Sequence, residues 1–234
     1  MTAARPGGKA LTDHGVELAK LKAGSRLLDI GCGRGDTVAH LKEDLGMKAE
    51  GIDINLAKIS EAKEAHPGAD IKFGDGEFLD SYMSFTFDGI LMESSLSLIN
   101  MPDEALHEAY CVLKKGGRLI ISDLYEKDPD EKQMRAVRIE ADRQSRIPHK
   151  EGDCEERSLK FVDFRFEGAF YRDALIRQLE ETGFQVIAFE DHSEDLKGYT
   201  EEELTDLSSY LKTEAGGKKR DIGYFLLIAA KPIQ

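Results

Sequence analysis

The residues that most constrain this chain are Leu27-Leu28-Asp29-Ile30-Gly31-Cys32-Gly33-Arg34-Gly35-Asp36-Thr37. The short apolar run reads as a buried strand. An acid stands near its end, and three glycines then alternate with other residues. Val38, Leu41 and Leu45 recur at helical spacing and predict a helix immediately afterwards. Strand, glycine turn and helix, in that order, form a nucleotide site at the carboxyl end of the first strand of an open α/β sheet. Glycine lacks a Cβ, so the backbone can turn sharply and approach a ligand closely. The helix start adds unpaired N–H groups and the positive end of a dipole.

The same beat repeats downstream. A strand at 26–30 and a helix at 37–45 are followed by a strand at 47–52 that ends at Asp53. Asn55 is placed to cap a helix carrying Leu56, Ile59 and Ala62. A strand at 69–73 leads into Gly74-Asp75-Gly76-Glu77, and one at 85–92 into Glu93-Ser94-Ser95. Pro102 and Asp103 suit a helix start, with Lys114 and Lys115 complementing its C-terminal dipole and Gly116-Gly117 closing it. A strand at 118–122 ends at Asp123. Such alternation predicts βαβ units around a parallel sheet. Residues 1–24, with a helix over 11–21, are expected as an N-terminal helical lid.

After Asp123 the beat stops. Residues 124–170 are expected as an insertion that forms a cap or one wall of a substrate pocket, with a helix from 128 to 146 and an aromatic strip of Leu159, Phe161, Phe164 and Phe166. It resumes with a helix at 171–182 and a strand at 184–189. Thr200 and Glu203 form a capping-box pattern, and the last strand is expected at 223–230. Residues 1–234 are read as a single domain.

Charge narrows the function. There are 32 basic and 45 acidic residues, net −13, and both halves are acidic. A nucleic-acid footprint needs clustered Lys and Arg, so none is expected. Cys32, Cys111 and Cys154 are far apart with no CxxC pair, which fits a reducing compartment and supplies no disulfide framework; no metal site is expected either. No apolar run approaches the ~20 residues that span a bilayer, and the first residues lack a signal peptide's apolar core. A cytoplasmic protein is expected.

If the sheet is parallel, Asp29 with its glycine loop, Asp53, Asp75 and Glu93-Ser94 share its carboxyl edge. Asp53 lies 22 residues beyond Gly31, close to the spacing of an acid that takes ribose hydroxyls. Asp75 can accept from an exocyclic amine. Asp29 either orients the glycine turn or accepts from a ligand ammonium.

These residues resemble the motifs of class I S-adenosylmethionine-dependent methyltransferases. The first motif is matched by Leu28-Asp29-Ile30-Gly31-Cys32-Gly33-Arg34-Gly35 and the second by Gly51-Ile52-Asp53-Ile54-Asn55. Further matches are Gly74-Asp75-Gly76-Glu77, Phe87-Asp88-Gly89-Ile90-Leu91 with Glu93-Ser94-Ser95, the segment Val112 to Asp123, and Leu179 to Phe184. The likeness is strongest to the small-molecule branch that includes quinone-biosynthesis-type and arsenite-type enzymes. It implies a Rossmann-like, doubly wound, seven-stranded sheet with its last strand antiparallel, and S-adenosylmethionine as donor. The implied donor-binding residues are Asp29, Gly31, Cys32, Gly33, Asp53, Ile54, Asp75, Gly76, Glu77, Glu93 and Ser94. Many relatives have a small polar residue or Asn where this chain has Glu93, which leaves Glu93 open as a cation-binding or a solvated acid.

Methyl transfer from a sulfonium demands alignment and desolvation more than a particular side chain. An acceptor with a removable proton needs a base, and His14, Glu93, Asp123 and Tyr125 are the candidates. Arg5 near the pocket would meet an anionic substrate, and Cys154 a soft one such as trivalent arsenic. A small-molecule substrate is the expected partner, and a homodimer through the insertion stays open. Two rivals remain. A nicotinamide oxidoreductase is disfavoured because Asp36 stands where the third glycine of Gly-x-Gly-x-x-Gly would fall. A non-catalytic S-adenosylmethionine sensor or scaffold is not excluded by any sequence feature.

Overall fold

The alternation of apolar runs and glycine turns folds into one large sheet with helices on both faces. The computed structural model describes residues 5–129, 165–208, 211–215 and 217–233. The strands are β1 (Arg26–Ile30), β2 (Lys48–Asp53), β3 (Asp70–Phe73), β4 (Phe87–Glu93), β5 (Leu113–Glu126), β6 (Arg165–Phe166), β7 (Ala169–Phe170), β8 (Gln185–Asp191), the short β9 (Glu214–Ala215) and β10 (Lys218–Lys219), and β11 (Ile222–Ala230). The helices are α1 (Gly8–Leu18), α2 (Asp36–Glu43), α3 (Leu56–Ala65), α4 (Pro102–Val112), α5 (Arg172–Thr182) and α6 (Glu201–Leu207).

The main sheet runs β3-β2-β1-β4-β5-β11-β8. β1 to β5 are parallel, whereas β11 is antiparallel to both β5 and β8. This is the expected seven-stranded order with one antiparallel strand. β6 and β7 form a small hairpin whose Phe170 pairs with Tyr125 of β5.

The central strands are largely apolar on both faces because both are covered, with acids such as Asp29, Glu93 and Asp123 near their carboxyl ends. Successive side chains point to opposite faces, so Leu28, Ile90, Ile121 and Phe225 pack beneath α4 and α5. Leu27, Leu91, Ile120 and Leu226 pack beneath α1, α2 and α3. From β1 the chain steps outward through β2 and β3, then crosses back to β4 on the other side of β1. The order reverses there, which opens a crevice at the carboxyl ends of β1 and β4.

Several boundaries differ from the sequence reading. α1 starts at Gly8 rather than at 11, after Gly7 in the left-handed region (φ 72°). It packs on the sheet, with Leu11 and Val16 buried. α4 ends at Val112, so Lys114 and Lys115 lie in β5 and not in a helix C-terminus; Lys114 Nζ instead meets Asp88 Oδ1 at 2.7 Å. β5 continues past Asp123 to Glu126 because β11 supplies an antiparallel partner along 118–126. The expected 128–146 helix from residue 130 onward, Leu159, Phe161, Phe164 and Cys154 lie outside the described residues.

Candidate active site

The first motif builds the floor of the crevice. Gly31, Gly33 and Gly35 all have positive φ (78°, 54° and 78°). Gly31 N–H and Cys32 N–H both donate to the carbonyl of Ile52 at the end of β2 (2.8 and 3.0 Å). Gly33 N–H donates to Asp53 Oδ2 (2.8 Å), and Gly35 N–H to the carbonyl of Cys32 (2.9 Å). These amides already have partners, so the loop presents backbone contour to a ligand rather than a nest of free donors. Cys32 is buried against Gly51, and burial pushes its thiol well above the ordinary thiol range, which leaves it unreactive.

A cavity of about 400 Å³ opens above this floor, within the size range of small-molecule pockets. Asp29, Gly31, Cys32, Gly33, Glu93 and Ser94 line it, so six of the expected site residues come together there. Arg5, Thr37, Tyr199 and Leu207 contribute further wall.

Glu93 is not a solvated acid. Its side chain is 3% exposed and lies in an ion pair with Arg5 Nη2 at 3.0 Å. Thr12 Oγ1 donates to its Oε1 and Thr37 Oγ1 to its Oε2, each at 3.0 Å. Arg5 Nη2 also reaches Thr12 and Thr37. The other guanidinium nitrogen, Nη1, is buried with no hydrogen-bond partner among the described residues. Burial, and next the charge of Glu93, hold the Asp29 carboxyl well above the usual carboxylate range; Arg5 opposes this and Asp53 adds to it. The lining carries five acids, Asp29, Asp36, Glu93, Glu203 and Asp206, against the cations Arg5, Arg34 and Lys58. Arg34 leans toward Glu61 at 3.6 Å. The cavity is therefore electrostatically suited to a cation.

The remaining expected contacts are arranged differently. Asp53, Ile54, Asp75, Gly76 and Glu77 are not among the residues lining this cavity. Asp53 Oδ1 accepts from Asn55 N–H (2.8 Å) while its Oδ2 holds Gly33, so it joins the glycine loop to β2. Ile54 is 61% exposed just beyond it. Asp75 Oδ1 accepts from Glu77 N–H, and Glu77 Oε1 accepts from Asn100 and Met101 N–H at the start of α4.

Of the candidate bases, only Glu93 lines the cavity. His14 sits on the opposite side of α1, with Nε2 2.7 Å from Glu190 Oε2. Tyr125 lines a second cavity with Arg172 and Phe189, and burial raises its phenol further. Both carboxylate oxygens of Asp123 accept backbone amides, from Ser97 and Leu124. Ser94 Oγ lies 2.6 Å from the hydroxyl of the buried Tyr224, which reaches on to Ser122.

Thr12, Thr37 and the α6 wall carry no sequence signal for a site. The capping box of α6 is present as expected, Thr200 accepting from Glu203 N–H. Nothing in residues 199–207 announces that they border the glycine loop.

The family model described as "Methyltransferase domain" matches residues 21–219. The chain belongs to the methyltransferase domain family. Among curated proteins, this methyltransferase-family chain is 32% identical over 121 residues to 27-O-demethylrifamycin SV methyltransferase of Amycolatopsis mediterranei (strain S699), which covers 48% of this chain and 43% of that protein. It is 30% identical over 100 residues to demethylmenaquinone methyltransferase of Renibacterium salmoninarum, covering 43% and 41%. The matches thus span less than half the length of these relatives. Among solved structures, the [4+2]-cyclase SpnF aligns with a TM-score of 0.66 at 22% identity, over 96% of this chain and 81% of that one. It shares the fold. No helix among the described residues is long and apolar enough to cross a membrane.

Proposed function

We propose that the chain transfers a methyl group from S-adenosylmethionine to a small-molecule acceptor by in-line displacement. The observation that carries this reading is the buried Asp29–Glu93 pair beneath a cavity whose glycine-loop amides are already engaged. Such a site, lined by five acids, favours a cationic ligand. The residues present fit an amino-acid end: Arg5 Nη1 lacks a partner and suits a carboxylate, and Asp29 suits an ammonium. Asp53 at the end of β2, with Ile54 and Asp75 just beyond β2 and β3, are proposed to take the nucleoside. When bound, the donor supplies an already activated methyl on a positively charged sulfur.

The chain's own contribution is to hold that end of the ligand, exclude water and present the acceptor in line. Glu93 receives Arg5, Thr12 and Thr37, so it acts as a fixed charge and not as a proton acceptor. The relatives named for 27-O-demethylrifamycin SV and demethylmenaquinone support a small acceptor. Acidic charge disfavours nucleic acid. The described cysteines, Cys32 and Cys111, are buried and form no disulfide among the described residues, consistent with a reducing cytoplasm. Self-association through 124–170 belongs to the same proposal.

Calorimetry with S-adenosylhomocysteine tests the site. Saturable binding is expected, and its absence at millimolar ligand overturns the reading. Glu93→Gln keeps the shape but removes the charge, so binding is expected to weaken by about 1–3 kcal/mol. Unchanged affinity would remove Glu93 from the electrostatic role. Release of S-adenosylhomocysteine over an acceptor panel separates an enzyme from a sensor.

A further inference from the structure

On the far side of α1 from the cavity, three side chains converge that no sequence spacing brings together. Glu190 and His192 are two residues apart at the end of β8, and that spacing puts them on one face. α1 crosses this face and delivers His14. His14 Nε2 is 2.7 Å and His192 Nε2 3.3 Å from the same oxygen, Glu190 Oε2. All three atoms lie within 4.8 Å of one another. The two rings approach to 5.8 Å between centroids.

We propose that His14, Glu190 and His192 form a site for a divalent transition-metal ion of the zinc class, which pins α1 to β8. Two imidazoles and one carboxylate are the donor set of Zn²⁺, Ni²⁺, Cu²⁺ and Fe²⁺; Mg²⁺ and Ca²⁺ prefer oxygen alone. Tetrahedral bonds of about 2.0–2.2 Å hold ligand atoms roughly 3.4 Å apart. One pair already has that separation, and the others reach it by small side-chain rotations. Those rotations are open, because the side chains of His14, Glu190 and His192 are 40%, 38% and 23% exposed.

A second observation supports a metal over a simple ion pair. The remote nitrogen of His192, Nδ1, faces Asp195 Oδ2 at 3.5 Å. With a metal on Nε2 the ring proton would stand on Nδ1, where Asp195 is placed to receive it, which is the outer-shell arrangement of metal-bound histidines.

The site is also linked to the cavity. His14 follows Thr12 by two residues on α1, and Thr12 donates to Glu93. Fixing α1 fixes that wall, so metal and cavity ligand should each tighten the other.

The test uses the full chain without an affinity tag, stripped with a chelator and titrated with Zn²⁺ by calorimetry. One Zn²⁺ per chain is expected, with a raised melting temperature and, on Co²⁺ substitution, d–d absorption of a low-coordinate nitrogen and oxygen site. His192→Ala and Glu190→Gln should each abolish the binding while keeping the metal-free melting temperature. Asp195→Asn should weaken it about 10-fold. Binding that persists in both folded variants overturns the proposal, as does the absence of saturable Zn²⁺ binding up to millimolar ion. If a variant fails to fold, the Co²⁺ spectrum of the unaltered chain decides, and a six-oxygen spectrum refutes the site. None of these readouts depends on methyl transfer.

Discussion

Asp123 is wholly buried, and although two backbone amides stabilise its charge, burial lifts the carboxyl from 3.8 to about 6. The folded state therefore binds this proton more tightly than the unfolded state does. Between about pH 4 and pH 6 the native chain holds the extra proton, so this group's contribution to stability falls as pH rises through that window and is flat above it. The loss is on the order of 2–3 kcal/mol. Urea unfolding across the window should show that slope, and Asp123→Asn should remove it whatever its effect on absolute stability. Asp29 gives a second pH signature. Its carboxyl is raised by burial and by the charge of Glu93. A cationic ligand should bind more weakly as pH falls through that raised value, and Asn at position 29 should flatten the dependence; calorimetry at several pH values measures both. Asp29, Glu93 and the glycines were legible in the sequence because each stands at a strand end. Thr12 and Thr37 were not, because a threonine on a helix acquires meaning only from what the fold places beside it, here Glu93 at the end of β4.

At the scale of elements, the glycine loop separates two effects that a single motif hides. A Cβ on Gly35 would meet Ile71 Cδ1 at 2.2 Å, where α2 packs against the sheet; one on Gly33 meets nothing within 4 Å. Both have positive φ, which costs a non-glycine residue about 1–2 kcal/mol. Gly35→Ala should thus lose that plus a packing penalty of about 1–3 kcal/mol. Gly33→Ala should lose only the backbone part, yet its methyl enters the cavity. Thermal melts alongside S-adenosylhomocysteine binding should show Gly35→Ala worse in stability and Gly33→Ala worse in affinity relative to stability. The central strands were readable because both faces are buried and their residues are mostly apolar. The end of β5 was misread because Leu124, Tyr125 and Glu126 become strand only through pairing with β11, about a hundred positions away.

Over the whole molecule, long-range placement decides what the sequence cannot show. Arg220 is an example. Its Nε meets Glu126 Oε2, and its other nitrogens reach the carbonyls of Phe166, Glu167 and Lys212, so one buried guanidinium joins four chain segments. Glu126→Gln leaves that charge without its counter-ion and should cost about 3–5 kcal/mol in denaturant unfolding. In the same way α6 meets the glycine loop and His14 meets Glu190 only because the sheet order brings them there.

That order also governs when the fold can close. β11 lies between β5 and β8, and among the described residues β8 pairs with no other strand. Ile222 follows Asp191 by 31 residues, about 2–6 s of synthesis at ribosomal speed. Throughout that interval β5 presents an open edge and β8 has no partner, both facing the crowded interior of a cell. Survival of the nascent chain depends on keeping those two edges apart until one strand fills the gap between them.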